Sequence, residues 1–228
     1  MIIPENLKAS GLPAFFTNRN EGIEPGGLSH ISGIPEEAIY MPIQRHTDLV
    51  FVLEEFCCPE VADAVVTARK GVLLGVRVAD CLPILVYDRK REIVAAVHAG
   101  WRGTAKGILG KTIKVMTDRF SSGVDDILIA FGPSIRGCCY DVNGDVLSAV
   151  EAATGDGDYI LWRGGKVYID LVFANRIQAL SMGLPDENLW MAGECTYCLP
   201  ERFFSYRCSK TEKRQGGFIG LKDGNVNR

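Results

Sequence analysis

The sequence predicts a mixed α/β fold of the α+β sandwich type, formed by one compact domain over residues 1–228. Hydrophobic residues make up 47% of the chain, which is enough apolar material for a sizeable core. Short β-branched runs dominate residues 62–98, whereas two later segments space their apolar residues as a helix does. The sequence contains no internal repeat, linker-like stretch or low-complexity tract.

The N-terminal part, residues 1–60, is rich in Gly, Pro and polar turns and predicts loops with a few strands, one of them at 49–53. The next part predicts buried strands, because short apolar runs alternate there with turn signals such as RKG and DRKRE. The four predicted strands are 62–67, 71–79, 82–87 and 92–98.

Directly after the fourth strand the pattern becomes helical and continues to Phe120, with Thr104 as the predicted N-cap. Gly183 is a plausible C′ residue for the second clear helical pattern. The remaining predicted elements are a strand at 126–132, a helix at 141–153, a strand at 166–170, a helix at 171–182, short strands within 187–206 and a basic turn at 210–217.

Charge and targeting signals narrow the class of protein. Twenty-five basic and twenty-eight acidic residues give a net charge of −3, which favours a small or neutral substrate over nucleic acid or an anionic membrane. The first residues lack the pattern of a secretory signal, and no apolar run approaches the roughly 20 residues that span a bilayer. We therefore expect a cytoplasmic protein whose eight cysteines are reduced and mostly buried. Its oligomeric state is not indicated.

Cys81 and His98 are candidates for a metal site because both lie at predicted strand ends. Cys81 precedes His98 by 17 residues, so one strand that returns antiparallel brings them to the same end of a sheet. Cysteine and histidine suit Zn²⁺, and a third ligand, for which His46 is the candidate, would leave the open position typical of catalytic zinc. Spacing alone does not establish His46 as a member. Two other interpretations of Cys81 and His98 remain open. Both can be ordinary core residues, or Cys81 can be a nucleophile with His98 as its base.

Three further features have a functional and a structural interpretation. The glycine-rich turn HAGWRGT and Arg102 suit an anion such as phosphate, or form a tight turn with a solvated arginine. Cys195 and Cys198 form a C-x-x-C pair that can be half of a zinc site, to be completed by Cys208 and a distant residue, or a pair of buried thiols. A set of basic residues either binds phosphate or is solvated: Arg202, Arg207, Lys210, Lys213 and Arg214.

Several motifs, in order, resemble the laccase-domain family. They are QRHTDLV, ADAVVT, VADCLPILVYD, VAAVHAGWRGT, FGPSIRGCCYDV, ECT and FFSYR, and the resemblance runs from about residue 13 to residue 215. This family was first described as multicopper polyphenol oxidoreductases and later as zinc-dependent purine nucleoside phosphorylases. The resemblance implies a compact α/β fold related to toxin deamidases, and zinc held by His46, Cys81 and His98.

The resemblance also implies the substrates, which are purine nucleosides and phosphate. The implied reactions are phosphorolysis of adenosine, inosine, guanosine and S-methyl-5'-thioadenosine, and deamination of adenosine by a metal-activated water that attacks C6. We predict that Gln44, Arg102 and Arg207 bind substrate or phosphate and that Asp80 orients a ligand or shuttles a proton. Thr47 stands where the family usually has glycine. The region around GLSHISG also departs from the family pattern, so substrate contacts from there are not carried over, although His30 can replace one of them.

Two other enzyme classes remain as alternatives. A cysteine hydrolase or deamidase would use the same Cys81 and His98 pair. A copper polyphenol oxidase is disfavoured, because three histidines in the chain cannot build several histidine-rich copper sites, and copper is accordingly a weaker candidate than zinc.

Overall fold

The computed structural model describes residues 1–223, which form a mixed α/β fold, as predicted. The strands are β1 Ala14–Phe16, β2 Ile39–Tyr40, β3 Val50–Val52, β4 Ala64–Thr67, β5 Val72–Val78, β6 Leu82–Asp88, β7 Ile93–Ala99, β8 Ile127–Phe131, β9 Asp141–Val142, β10 Ile160–Arg163, β11 Lys166–Ile169, β12 Leu189–Met191 and β13 Gln215–Leu221. The α-helices are α1 Glu5–Lys8, α2 Pro25–Ser32, α3 Trp101–Ala105, α4 Ile108–Phe120, α5 Gly144–Thr154, α6 Leu171–Ser181 and α7 Tyr206–Ser209. Short 3₁₀ turns lie at Glu36–Ala38, Val124–Asp126 and Asp186–Asn188.

The central sheet has six strands in the order β12-β8-β6-β7-β4-β3. Strand β7 is antiparallel to both of its neighbours, β6 and β4. The register pairs Leu82 with Ala99 and Pro83 with His98. The predicted antiparallel return between Cys81 and His98 is therefore confirmed, and the start of β6 meets the end of β7.

Alternating side chains of the central sheet face two different cores. On β7, Ala95 and Val97 pack toward the helices α4 and α6, whereas Val94 and Ala96 pack toward a second sheet. That second sheet has four strands in the order β1-β13-β5-β2. Burial on both faces explains why the central strands read as nearly continuous apolar runs in the sequence. A smaller sheet, β10-β11-β9, lies beside α5.

The predicted helix after β7 is interrupted, and the prediction of Thr104 as its N-cap is wrong. Thr104 is buried inside α3, whose N-cap is Gly100. Gly107 then adopts φ +68°, a left-handed conformation that ends one helix and caps the next. The second predicted helix is confirmed as α6, and Gly183 follows it with φ +86°.

The predicted series of strands within 187–206 is also incorrect. Only Leu189–Met191 forms a strand, at the edge of the central sheet. Turns follow it, in which Leu199 N–H donates to the Cys195 carbonyl at 3.2 Å and Phe203 N–H to the Leu199 carbonyl at 2.9 Å. Within residues 1–223, no helix combines the length and the apolar character that a membrane crossing requires.

Candidate metal centre and substrate cleft

Three polar side chains meet at one end of the central sheet. Cys81 directly precedes β6, Asp63 directly precedes β4, and His98 is the penultimate residue of β7. Because β7 runs antiparallel to both neighbours, its end lies beside both starts. The His98 N–H donates to the Asp63 carbonyl at 2.7 Å, which extends the ladder by one step to this end of the sheet.

His46 completes a group of three potential metal ligands with Cys81 and His98. One ligand atom from each residue lies within 4.8 Å of the other two. The Cys81 Sγ to His46 Nε2 distance is 3.9 Å, and the two imidazole rings meet edge to face with centroids 4.9 Å apart. Sulfur and nitrogen that share a tetrahedral Zn²⁺ lie about 3.6 Å apart, so a small inward movement suffices. His98 is buried, Cys81 partly buried and His46 exposed, which leaves one side open.

The fully buried carboxylate of Asp63 holds several parts of this centre together. Its Oδ1 accepts hydrogen bonds from His98 Nδ1 at 2.7 Å and from the His46 N–H at 3.1 Å. Its Oδ2 accepts from the Thr47 N–H at 2.6 Å, the Thr47 hydroxyl at 2.7 Å and the Arg45 N–H at 3.2 Å. Because the His98 Nδ1 side is bound to Asp63, Nε2 is the nitrogen left to bind a metal once it has lost its proton. One carboxylate therefore orients one imidazole and the loop that carries the other.

The close approach of the three potential ligands depends on backbone conformations with positive φ and on a nearby glycine. His46 has φ +56°, and Asp80, the residue before Cys81, has φ +89°. Such conformations cost a non-glycine residue free energy and persist when surrounding contacts hold them. Gly100 packs against the ligands, because a Cβ there would lie 3.0 Å from Cys81 Sγ and 3.3 Å from His46 Cδ2.

The electrostatics of the group favour a deprotonated thiol. Burial opposes ionisation of Cys81, but the charge of His98 and a hydrogen bond from His46 lower its pKa to about 6. Burial likewise opposes protonation of His98, but the Cys81 thiolate and the hydrogen bond to Asp63 raise its pKa to about 9. Burial also opposes ionisation of Asp63, yet hydrogen bonds from His98 and Thr47 hold its pKa well below the usual range. The directions of these pKa shifts favour a thiolate beside an imidazolium in the metal-free centre.

The three potential ligands line an open cleft of about 870 Å³. This is within the size range of small-ligand sites. Ile23, Ile135, Tyr140 and Tyr206 supply apolar and aromatic surface to the lining. The cationic side chains of the lining are Arg77, Arg207, Lys210 and Arg214. The cleft therefore combines a metal-ready centre, ring surfaces and positive charge.

Tyr140 is a polar residue of the cleft that the sequence did not single out. Burial, together with the negative charge of Cys81, raises its pKa, so its hydroxyl stays protonated. Its ring lies 5.3 Å from the guanidinium of Arg207. A neutral donor thus faces the cleft beside a cation.

The other predicted site residues differ in whether they line the cleft and in whether their polar groups are already hydrogen-bonded. Arg207 and Gln44 line the cleft, but the Gln44 amide is engaged at 2.9 Å with both backbone groups of Arg77. Arg102 stacks on the neighbouring Trp101 ring at 4.4 Å and is not among the described residues that line the cleft. Asp80 lines the cleft too, yet its Oδ1 accepts from the Thr196 hydroxyl and its Oδ2 from the Arg207 N–H, both at 2.7 Å.

The carboxylate that contacts a potential ligand, His98, is Asp63, and the role of Asp80 stays a prediction. The sequence carried a signal for Asp63, since it is the one charged residue in the apolar run 61–66. His30 is exposed on α2 and is outside the described cleft lining. Of the five basic residues near the C-terminus, Arg207, Lys210 and Arg214 line the cleft. Arg207 also pairs with Asp141. Arg202, which is outside the described cleft lining, pairs with Glu194 at 3.1 Å.

Most cysteines are not buried, contrary to the prediction. Cys195 is buried, Cys81 and Cys139 are partly buried, and the other five cysteines are exposed. Cys208 does not complete the C-x-x-C pair, which was one of the two alternatives that the sequence left open. Sulfurs of Cys138 and Cys139, rather than Cys208, lie with those of Cys195 and Cys198.

A family model described as multi-copper polyphenol oxidoreductase laccase matches residues 26–222. This match spans most of the chain, including the elements that carry the three potential ligands. The chain belongs to this family. Membership in the multi-copper polyphenol oxidoreductase laccase family confirms the resemblance that the sequence motifs indicated.

Relatives in the laccase family have two kinds of name. A purine nucleoside phosphorylase of Aquifex aeolicus is 40% identical over 180 residues, which cover 78% of this chain and 81% of the relative. Another, of Bacteroides thetaiotaomicron, is 35% identical and covers 95% of this chain and 80% of the relative. Adenosine deaminase RL5, from an unknown prokaryotic organism, is 36% identical and covers 77% and 71%.

Solved structures of the family confirm the fold. The crystal structure of YlmD from Geobacillus stearothermophilus matches with a TM-score of 0.84 at 27% identity, over 93% of each chain. The Bacillus licheniformis hypothetical protein YfiH also matches with a TM-score of 0.84, at 25% identity and 93% coverage of each chain.

Proposed function

We propose that this protein is a zinc-dependent purine nucleoside phosphorylase that also deaminates adenosine. Its substrates would be adenosine, inosine, guanosine and S-methyl-5'-thioadenosine, together with phosphate. The observation that carries the proposal is the convergence of His46, Cys81 and His98 at the edge of a basic cleft. The names of the relatives supply the reaction classes.

The donor set fits zinc better than copper. Two imidazoles and one thiolate match the borderline-soft character of Zn²⁺, and three protein ligands leave one position for a reactant. Asp63 supplies the carboxylate behind His98 that zinc-binding histidines commonly have. When bound, zinc would supply Lewis acidity at the open side of the centre. With three histidines in the chain, several histidine-rich copper sites cannot form.

The cleft residues suggest how a nucleoside and phosphate are held. Tyr206 and Ile23 offer faces for a purine, while Arg207, Lys210 and Arg214 offer positive charge for phosphate. In phosphorolysis a phosphate oxygen bonds to ribose C1′ as the bond from C1′ to the purine breaks, and the departing purine takes up a proton. Tyr140 is positioned to donate a hydrogen bond to a substrate atom in the cleft.

Cysteine hydrolysis or deamidation is the second candidate function. It is favoured by the proximity of the Cys81 and His98 side chains, which would suit a nucleophile and its base. The two functions differ in their need for a metal, because a thiol mechanism would proceed in metal-free protein. All eight cysteines are free thiols. We infer a reducing compartment such as the cytoplasm for either function.

The test compares wild type with His46→Ala, using His30→Ala as the matched control, since His30 is exposed on another element. Protein purified without chelator is assayed for zinc per chain. Each of the four nucleosides is then incubated with and without phosphate, and the products are separated by chromatography. We expect free base and sugar 1-phosphate that depend on phosphate, and inosine from adenosine without it.

We expect His46→Ala to lose zinc from this centre and both activities together, and His30→Ala to keep them. Nucleoside turnover by metal-free protein or by His46→Ala would refute the zinc mechanism and favour the thiol alternative. Absence of turnover for all four nucleosides by zinc-loaded wild type would refute the proposed function itself.

A further inference from the structure

Four cysteines outside the cleft form a second cluster. Sulfur atoms of Cys138, Cys139, Cys195 and Cys198 all lie within 4.8 Å of one another. The Cys138 to Cys198 sulfur distance is 3.7 Å, and the Cys139 to Cys198 distance is 3.2 Å. Two sulfurs that share a tetrahedral Zn²⁺ lie about 3.8 Å apart, so the spacing is already near that of a metal site.

Two turns present these sulfurs from distant parts of the sequence. One turn covers 137–139 and the other 196–198, and a parallel bridge between Ser134 and Cys195 joins their bases. Arg136 braces the first turn, because its guanidinium binds the Asp170 carboxylate at 2.9 Å and the Ala192 carbonyl at 2.9 Å. The fold therefore brings the four thiols together before any metal binds, which lowers the cost of ordering the site.

Backbone donors point at one of the sulfurs. The Arg136 N–H approaches Cys195 Sγ at 3.4 Å. The backbone N–H groups of Tyr197 and Cys198 also face this sulfur. Donors of this kind stabilise a thiolate rather than a neutral thiol.

We propose that Cys138, Cys139, Cys195 and Cys198 bind one structural Zn²⁺ in a closed four-thiolate site. Zinc displaces the thiol protons and neutralises half of the charge of four thiolates. The guanidinium of Arg163, which donates to the Gly137 carbonyl at 2.6 Å and the Cys138 carbonyl at 3.0 Å, adds positive charge beside the turn. With four protein ligands no position is left for a reactant, so this zinc has no direct catalytic role.

The second zinc would brace one wall of the cleft. Cys139 is followed directly by Tyr140, which lines the cleft. Thr196, inside the C-x-x-C turn, is buried and donates to Asp80 beside Cys81. A metal that ties the two turns together therefore restrains both connections to the catalytic centre.

The test counts zinc in four proteins purified under reducing conditions without chelator. Wild type is expected to hold two zinc per chain, and Cys138→Ser/Cys198→Ser to hold one. The matched control, Cys57→Ser/Cys58→Ser, changes an exposed vicinal pair outside the cluster and is expected to hold two. His46→Ala is expected to lose only the catalytic equivalent, so failure of one site is distinguishable from failure of the other.

Two measurements on the wild-type protein keep the test valid if the double variant misfolds. Titration with a mercurial thiol reagent is expected to release the structural zinc as four cysteines react. Cobalt reconstitution is expected to produce the strong sulfur-to-cobalt charge-transfer absorption of a four-thiolate site, far above that of a single thiolate. The proposal is overturned if the wild-type zinc count equals that of Cys138→Ser/Cys198→Ser. It is also overturned if peptide mapping of fresh protein finds a disulfide between Cys139 and Cys198.

Discussion

Replacement of Asp63 by asparagine tests whether this carboxylate organises the candidate metal centre. An amide keeps the shape but has only one accepting oxygen, whereas Asp63 accepts five hydrogen bonds from three neighbours and from His98. At least two of the five are lost, and hydrogen bonds to a buried charge contribute about 1.5–3 kcal/mol each. A loss of about 3 kcal/mol corresponds to a fall in Tm of roughly 6–12 °C for a domain of this size.

The same substitution is expected to weaken zinc binding. If the new NH₂ group faces His98 Nδ1, the imidazole must place its proton on Nε2, the atom needed by the metal. Loss of such a supporting carboxylate lowers metal affinity by about 10–100-fold. Zinc affinity is measured by competition with a chromophoric chelator, and stability by thermal unfolding of the metal-free protein.

Asp48→Asn is the matched control for Asp63→Asn. Asp48 lies on the loop that carries His46 and Thr47, is partly exposed and pairs with the surface lysines Lys106 and Lys111. Its replacement should change stability by no more than about 0.5 kcal/mol. If Asp63→Asn binds zinc within twofold of wild type and unfolds at the same temperature, the role assigned to Asp63 is wrong.

Three further predictions concern space, protection and charge. Gly100→Ala should weaken zinc binding at the candidate metal centre, because the new Cβ would lie 3.0 Å from Cys81 Sγ. The control Gly193→Ala should leave zinc affinity unchanged, because no atom lies within 4 Å of its new methyl group. Equal zinc affinities of the two variants would contradict the prediction. Zinc should protect Cys81 from iodoacetamide, as measured by peptide mass spectrometry, and equal labelling of the zinc-loaded and metal-free forms would argue against ligation. Arg207→Ala should raise the KM for phosphate about tenfold in initial-rate assays, as expected for loss of one charged hydrogen bond. Arg202→Ala, outside the described cleft lining, should leave that KM unchanged, and an equal effect of both would refute the assignment.

The central strands could be predicted because burial on both faces demands continuous apolar runs. The meeting of Cys81 with His98 was also predictable, since a chain of this length between them allows one antiparallel return. The ends of the helices were harder to predict from the sequence. Gly107 breaks the predicted helix through a left-handed conformation that the apolar spacing does not encode.

The sequence by itself determined the family, the fold class and the chemistry of the three potential ligands. The tertiary structure decided which polar groups support them. Asp63 becomes the partner of His98 only through the pairing of β4 with β7, and Cys138 meets Cys198 only through the bridge between Ser134 and Cys195. Those contacts join residues 35 and 60 positions apart, and local spacing carries no information about such long-range pairing.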